Sequence, residues 1–381
     1  MIINFRKGAR LATSVALASA LGVAGLASAA SAAKTHAKKR ATTTAVNVKI
    51  ETPKAASLIE AGSSLLYPLW NLWAPIYQGK FKQVSLTTGA GGSGLGISEA
   101  AAGTINIGSS DAYLSPNQLQ ATSGLMNIPV AISSQVVAYN IPGVHAHLKL
   151  NGKIIAAMYE GQITSWNDAQ IAALNPSVTL PNLPVVPLYR SDGSGDTFLF
   201  TSYLSKQDPS GWGQSVGFGT TVTWPKNASA LGENGNGGMV TGCAATKGCI
   251  AYIGVSYLSN ILGSGLTSAA LLNGAGQYLN WSAAGVTKEA AGYKVFRNKG
   301  AVSMINANTK GGYPIINYEY AIVNSKQSSP AVASAVRSLL EWAISPAGGQ
   351  KPSILSQVNF LPLPNTFING SYALIKTIKG A

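Results

Sequence analysis

Two kinds of apolar spacing divide the chain. Residues 11–26 form one uncharged stretch rich in Leu, Ala and Val, preceded by Arg6, Lys7 and Arg10 and followed by the small residues 27–33. A basic start, a short apolar run and a small-residue end make the three-part pattern of a secretory signal, with cleavage after Ala29 or Ala32. A membrane anchor is the alternative, but the run is short and Gly/Ala-rich for a span. Beyond it, short apolar runs alternate with Gly- and Pro-marked breaks. Residues 84–88 predict a strand, 89–96 (GAGGSGLG) a loop, 97–103 a helix and 104–108 a second strand, which together make a βαβ unit. Residues 185–190 predict a strand that runs through SDGSGD into a helix over 197–205. Residues 132–140 and 313–324 predict further strands. No repeat of fixed period occurs. The class is α/β, and the length of 381 residues suggests two lobes.

Composition narrows this. Apolar residues make up 46%, which excludes disorder, and charged residues only 10%, far below the roughly 25% of an average soluble protein. That density argues against a typical cytosolic enzyme. The net charge is +14, and three of the positive residues lie in the signal, so the mature chain carries 14 − 3 = +11. Residues 34–50 (KTHAKKRATTTAVNVKI) form a basic leader. A solvated, flexible tail is the simple reading, and tethering to an anionic surface the functional one. Two Cys and three His exclude a disulfide-rich scaffold and a multi-His metal site. Cys243 and Cys249 flank five residues, and outside the cytosol they read as a short-loop disulfide. A metal pair is the alternative, but no further ligand lies nearby in sequence. No Cys sits near the cleavage site, so a diacylglyceryl anchor is not expected, and no second run of eighteen apolar residues occurs.

Three segments carry candidate chemistry. Residues 89–94 match G-x-G-x-x-G, and Asp111 follows 17 positions after Gly94, close to a dinucleotide fingerprint. Nicotinamide cofactors are scarce outside the cell, and the more general physics of such a turn is a helix N-terminus aimed at an oxyanion. Asp111, in GSSDAYLS, is either a helix cap or an acceptor for a protonated ligand, with Ser109 and Ser110 adding hydroxyls. Residues 190–196 (RSDGSGD) place an arginine fork, two carboxylates, a serine and helix N–H groups together. Five Asp occur in all, and three are Asp111, Asp192 and Asp196, a bias that capping alone does not explain. A serine-hydrolase reading fails because Gly193-Ser194-Gly195 lacks the wider G-x-S-x-G and His36, His145 and His147 are remote in sequence.

Residues 62–73 (GSSLLYPLWNLW), 89–115 and 189–205 (YRSDGSGDTFLFTSYLS) resemble the phosphate-binding proteins of the high-affinity phosphate ABC importer, over roughly residues 58–368. GSGDTF, LLYPL and YPIINYEYAIVN follow the actinobacterial branch. The resemblance implies a two-lobed periplasmic-binding-protein fold, with a ligand cleft between lobes joined by two crossing strands. Carried over, residues 1–32 are the signal peptide, 33–51 the basic flexible leader, 52–131 plus 314–379 lobe I, and 132–313 lobe II. Leu66 and Tyr67 match the first ligand turn, where Leu66 replaces a hydroxyl residue and offers only its backbone. Ser93 matches the serine of the Gly-rich turn, and Asp111 the carboxylate that accepts the ligand's proton. Arg190 matches the cationic donor held by Asp192, and Ser194 and Gly195 the helix N-terminal donors. Asp196 stands where many relatives carry Thr and adds a second acceptor, while Ser110 lies behind the site.

The expected function is extracytoplasmic binding of inorganic phosphate for delivery to membrane ABC permease subunits. The chain is expected to be a monomer with no cofactor, metal or nucleic-acid partner, secreted and held at the cell surface. A secreted phosphatase or esterase, or a receptor for another oxyanion, is the alternative. A buried carboxylate repels an anion unless a proton lies between them. Phosphate carries one or two protons at environmental pH and sulfate none, so Asp111 and Asp196 are expected to select phosphate, including its monovalent form below about pH 6.

Overall fold

The computed structural model describes residues 47–381. The signal and most of the leader lie outside them. Residues 47–51, expected to end the flexible leader, are instead packed down. Val48 is buried. The Glu51 backbone N–H donates to Glu341, and its carboxylate pairs with Arg337 at 2.8 Å. A charge pair and a buried Val tie this stretch to a C-terminal helix.

The first half is built from β1 (Ala56–Gly62), α1 (Tyr67–Lys80), β2 (Val84–Gly89), α2 (Ser93–Ala102) and β3 (Ile107–Ser110). β1 pairs in parallel with β2 on one side and β3 on the other. Every residue of β3 is buried, as expected for an interior strand with neighbours on both sides, parallel to β1 on one. The sequence placed the start of α2 four residues late, because glycines within a helix lower its propensity. Here Gly96 is required by packing: a Cβ there would stand 2.7 Å from the carbonyl oxygens of Ala61 and Ser109.

The strand β4 (Leu125–Tyr139) links the halves, and only Met126 of its fifteen residues is not fully buried. The second half adds β5 (Val186–Arg190), α3 (Gly195–Gln207), β6 (Leu231–Glu233), α4 (Gly235–Ala245) and β7 (Cys249–Gly254). The chain returns in β8 (Ile316–Asn324) and ends its main packing with α5 (Pro330–Ile344). The strands run in the order β2-β1-β3-β8-β4-β7-β5-β6. Residues 125–134 of β4 pair with β8, and residues 135–139 with β7, both antiparallel. One strand therefore serves two sheets. Beside it the second passage crosses, where Gln135 N–H donates to the Ile315 carbonyl. The sequence started β4 seven residues late because Pro129 reads as a strand breaker. The structure absorbs it at a bulge, where Glu319 faces Ala131 and Tyr320 faces Pro129.

Aromatic residues fill both halves. Trp70 of α1 packs on Trp73, and Trp73 and Tyr77 pack on Trp342 of α5. Phe200 of α3 stacks on Tyr252 of β7 at 4.4 Å. A Cys243–Cys249 disulfide joins α4 to the first residue of β7, so the metal-pair alternative falls away. Among the described residues no helix is long and apolar enough to cross a membrane.

Candidate ligand-binding site

The C-terminal ends of β1, β3 and β5 point at one place, beside the N-termini of α2 and α3. Ser93 opens α2 and is fully buried. Its hydroxyl accepts from the Asp111 backbone N–H at 3.2 Å and donates to Asp111 Oδ2 at 3.4 Å. Ser63, in the turn after β1, donates its hydroxyl to Asp111 Oδ1. Ser110 closes the turn behind Asp111, bonding the N–H and carbonyl of Ala112.

The facing half supplies the cation. Arg190 ends β5 with its side chain 1% exposed. Its Nε donates to Asp192 Oδ1 at 2.6 Å, its Nη2 to Asp192 Oδ2, and its Nη1 to Asp196 Oδ2 at 3.2 Å. A guanidinium has five N–H donors, so two remain for an anion. Ser194 caps α3 by accepting the Thr197 N–H. Gly195 and Asp196 open that helix, and a Cβ on Gly195 would collide with Asp111 and Ser93. The two halves touch directly: Gly94 N–H donates to the Gly193 carbonyl at 2.8 Å.

Asp196 is more constrained than the sequence suggested. Its Oδ1 accepts from Gln135 Nε2 at 2.9 Å, and its Oδ2 from Asn236 Nδ2 at 2.6 Å and from Arg190. Asn236 also reaches the other half, donating to Ser64 Oγ from its backbone at 3.1 Å and its amide at 3.0 Å. Of the eight expected ligand residues, Ser93, Asp111, Arg190, Ser194, Gly195 and Asp196 converge. Leu66 and Tyr67 lie beside them with their N–H groups engaged: Leu66 donates to Ser63 Oγ and Tyr67 to the Ser63 carbonyl, both at 3.0 Å.

Sequence reasoning missed Ser63, Ser64, Gln135, Asn236 and Glu319. Two had a readable signal. Gln135 and Glu319 are strongly polar residues inside runs that predict buried strands, and both are fully buried. A buried polar side chain needs a partner.

Charge at the site is not net positive. Three carboxyl groups surround one guanidinium. Burial, then the charge of Asp196, pushes Asp111 up to about 7, against the pull of Glu319, Ser63 and Arg190. Burial also raises Asp196, against Arg190, Gln135 and Asn236. Burial works on Asp192 too, but the Arg190 pairing prevails and holds it below the usual range.

Residues 47–347 match the PBP superfamily domain. The phosphate-binding protein PstS of Xylella fastidiosa is 32% identical over 324 residues, 84% of this chain and 84% of that protein. The chain belongs to the PstS family. A PstS relative from Mycobacterium leprae, phosphate-binding protein PstS 3, is also 32% identical, over 73% of this chain and 75% of its own. Equal identities do not separate an actinobacterial branch from the rest of the PstS family. The phosphate-bound structure of the high affinity periplasmic phosphate-binding protein PfluDING covers 84% of this chain and 93% of that one. It has a TM-score of 0.65 and 20% identity. Its likeness shows the fold: two α/β lobes joined by crossing strands, as the PstS motifs implied.

Proposed function

We propose that this PstS-family chain is an extracytoplasmic receptor that binds inorganic phosphate between its lobes and delivers it to an ABC permease. The observation that carries this reading is the meeting of Ser93 and Asp111 from one half with Arg190, Ser194, Gly195 and Asp196 from the other. Tetrahedral oxygens find donors in the two spare Arg190 N–H groups, Ser194 and the first-turn N–H groups of α3. A protonated oxygen finds its acceptor in Asp111. We assign lobe I to residues 52–131 plus 314–379 and lobe II to 132–313. In this reading the receptor is a monomer retained near the cell surface.

The relatives it matches are named phosphate-binding proteins. The chain is a solute-binding protein, not an enzyme. The test is calorimetric titration of ligand-stripped protein with phosphate and with sulfate near neutral pH. Tight binding of phosphate alone is expected. Equal binding of both anions would refute the proton-acceptor site, and no heat with either would refute the receptor.

A further inference from the structure

A second buried carboxyl is tied to Asp111 through the amide of Asn317. Glu319 of β8 is fully buried. Its Oε1 accepts from Ser133 Oγ of β4 and from Asn317 Nδ2 at 3.0 Å. The same Asn317 amide donates to the Asp111 carbonyl at 3.2 Å, so one side chain ties both acidic residues together. No donor reaches Glu319 Oε2. Each carboxyl acts on the other's titration, Glu319 drawing Asp111 down and Asp111 pushing Glu319 up, as two acids sharing one proton would.

Two facing carboxylates have no proton to share, so a hydrogen bond between them requires one to be neutral. The surroundings decide which. Asp111 faces Arg190 and accepts from Ser63 and Ser93, all of which favour its ionised form. Around Glu319 the titratable neighbours are Asp111 and the phenol of Tyr320, with Tyr113 and Tyr318 beyond it. Asp192 and Asp196 pair with Arg190 and are not among the groups that act on Glu319. β4 contributes only the Ser133 hydroxyl. Two donors satisfy Oε1, and the remaining oxygen has nothing to accept from, which suits a hydroxyl that donates.

We propose that Glu319 is a positioning residue for Asp111: its neutral carboxyl, held by Ser133 and Asn317, donates a hydrogen bond to Asp111 and keeps Asp111 an acceptor toward the ligand. No proton transfers during binding: Glu319 keeps its own, the ligand keeps its own, and Asp111 accepts a hydrogen bond from each. Burial, followed by the charge of Asp111, moves Glu319 well above the usual carboxyl range, in agreement with the geometry. This inference rests on the phosphate-receptor reading for its functional consequence, but not for the protonation state.

The experiment compares Glu319→Leu and Glu319→Gln with the parent protein, each checked for folding by circular dichroism and thermal unfolding. An amide reproduces the donor and acceptor pattern of a neutral carboxyl; leucine reproduces neither. Phosphate affinity is expected to fall on the order of ten- to a hundredfold in the leucine variant, the loss of one hydrogen bond to a charged buried acceptor. The pH at which affinity begins to decline should move upward there, because Asp111 loses a donor that favours its charged form. Glutamine should rescue both. A glutamine variant that fails as leucine does, or a folded leucine variant with parental affinity and pH profile, would overturn the proposal. Infrared spectroscopy at about pH 8 supplies a readout independent of phosphate. A protonated-carboxyl C=O band that disappears in Glu319→Gln is expected, and its absence from the parent protein would refute the inference. If the parent bound no phosphate, the receptor reading would fall while this band still decided the state of Glu319.

Discussion

Selection against sulfate should weaken as the medium is acidified, and the structure sets the scale. Asp111 stands at about 7 when the halves are closed, against an ordinary value of 3.8. In the two-lobed receptor reading, parting the halves would separate Asp111 from Asp196 and expose it, which would return Asp111 toward its ordinary behaviour. Dihydrogen phosphate carries its own proton into the closed site. Sulfate does not, so closing on sulfate requires Asp111 to take a proton from solvent. Near neutral pH that uptake opposes sulfate by about three pH units, roughly 4 kcal/mol or a factor of about 10³. The penalty shrinks about tenfold for each pH unit of acidification, so the affinity ratio should fall on the order of a hundredfold from about pH 7 to pH 5. Competition calorimetry with both anions at the two pH values measures that ratio. In Asp111→Asn the ratio should be lower and flat, because no titrating group remains between ligand and β3. A ratio in the parent protein that does not change between the two pH values would refute the reasoning.

Three other outcomes follow from the same contacts. Glu60 is pushed by burial to about 8, Asp111 to about 7, and Glu319 and Asp196 move in the same direction. The folded chain therefore binds more protons than the unfolded one between about pH 4 and 8, and its stability is greatest at the acid end and lost as pH rises through the folded values, by up to about 1.4 kcal/mol per pH unit per group. Melting temperatures in phosphate-free buffer should fall from about pH 5 to pH 8; a rise would contradict this sign. Asn236→Ala removes the amide that joins Ser64 to Asp196, and phosphate affinity should drop roughly tenfold or more as Asp196 loses a donor, read by calorimetry; unchanged affinity would show that the link is dispensable. Replacing Cys243 and Cys249 together by Ala opens a short loop and should cost about 2 kcal/mol in denaturant unfolding, with phosphate affinity kept.

What the sequence made legible was local, and what it hid was long-range. The strand-turn-helix segments around Ser93, Asp111 and Arg190 were readable because each carries its own turn chemistry within a few residues. Closing them onto one point depends on β4, whose proline obscured a strand that pairs with two sheets. Leu66 and Tyr67 fitted a motif by position, yet Ser63 takes their N–H groups, a choice fixed by the turn geometry and not by residue type. Asn236 sits in a Gly-rich stretch with no distinguishing periodicity, so its bridge to Ser64 and Asp196 emerges only in three dimensions. Glu319 was visible as an isolated acid in an apolar run, but its partner Asp111 is 208 residues away in the chain (319 − 111), beyond any local pattern.

A site with three acids around one base cannot hold an anion by net charge. Arg190 is already neutralised by Asp192, and Asp196 takes a further N–H. Attraction must then come from oriented donors: the spare guanidinium N–H groups, the Ser194 hydroxyl and the α3 first turn, which act at hydrogen-bond range and carry no free charge. Such donors do not distinguish phosphate from sulfate, since both present the same tetrahedron of oxygens. Discrimination falls to the acceptors, and an acceptor discriminates only if it stays deprotonated while buried. Ser63 and Ser93 supply hydrogen bonds that favour that state against burial, and Glu319 adds one in the proposal above. In the proposed receptor, the donors Arg190, Ser194 and the α3 first turn lie on one half and the acceptor Asp111 on the other, and bringing them together is what closure would accomplish.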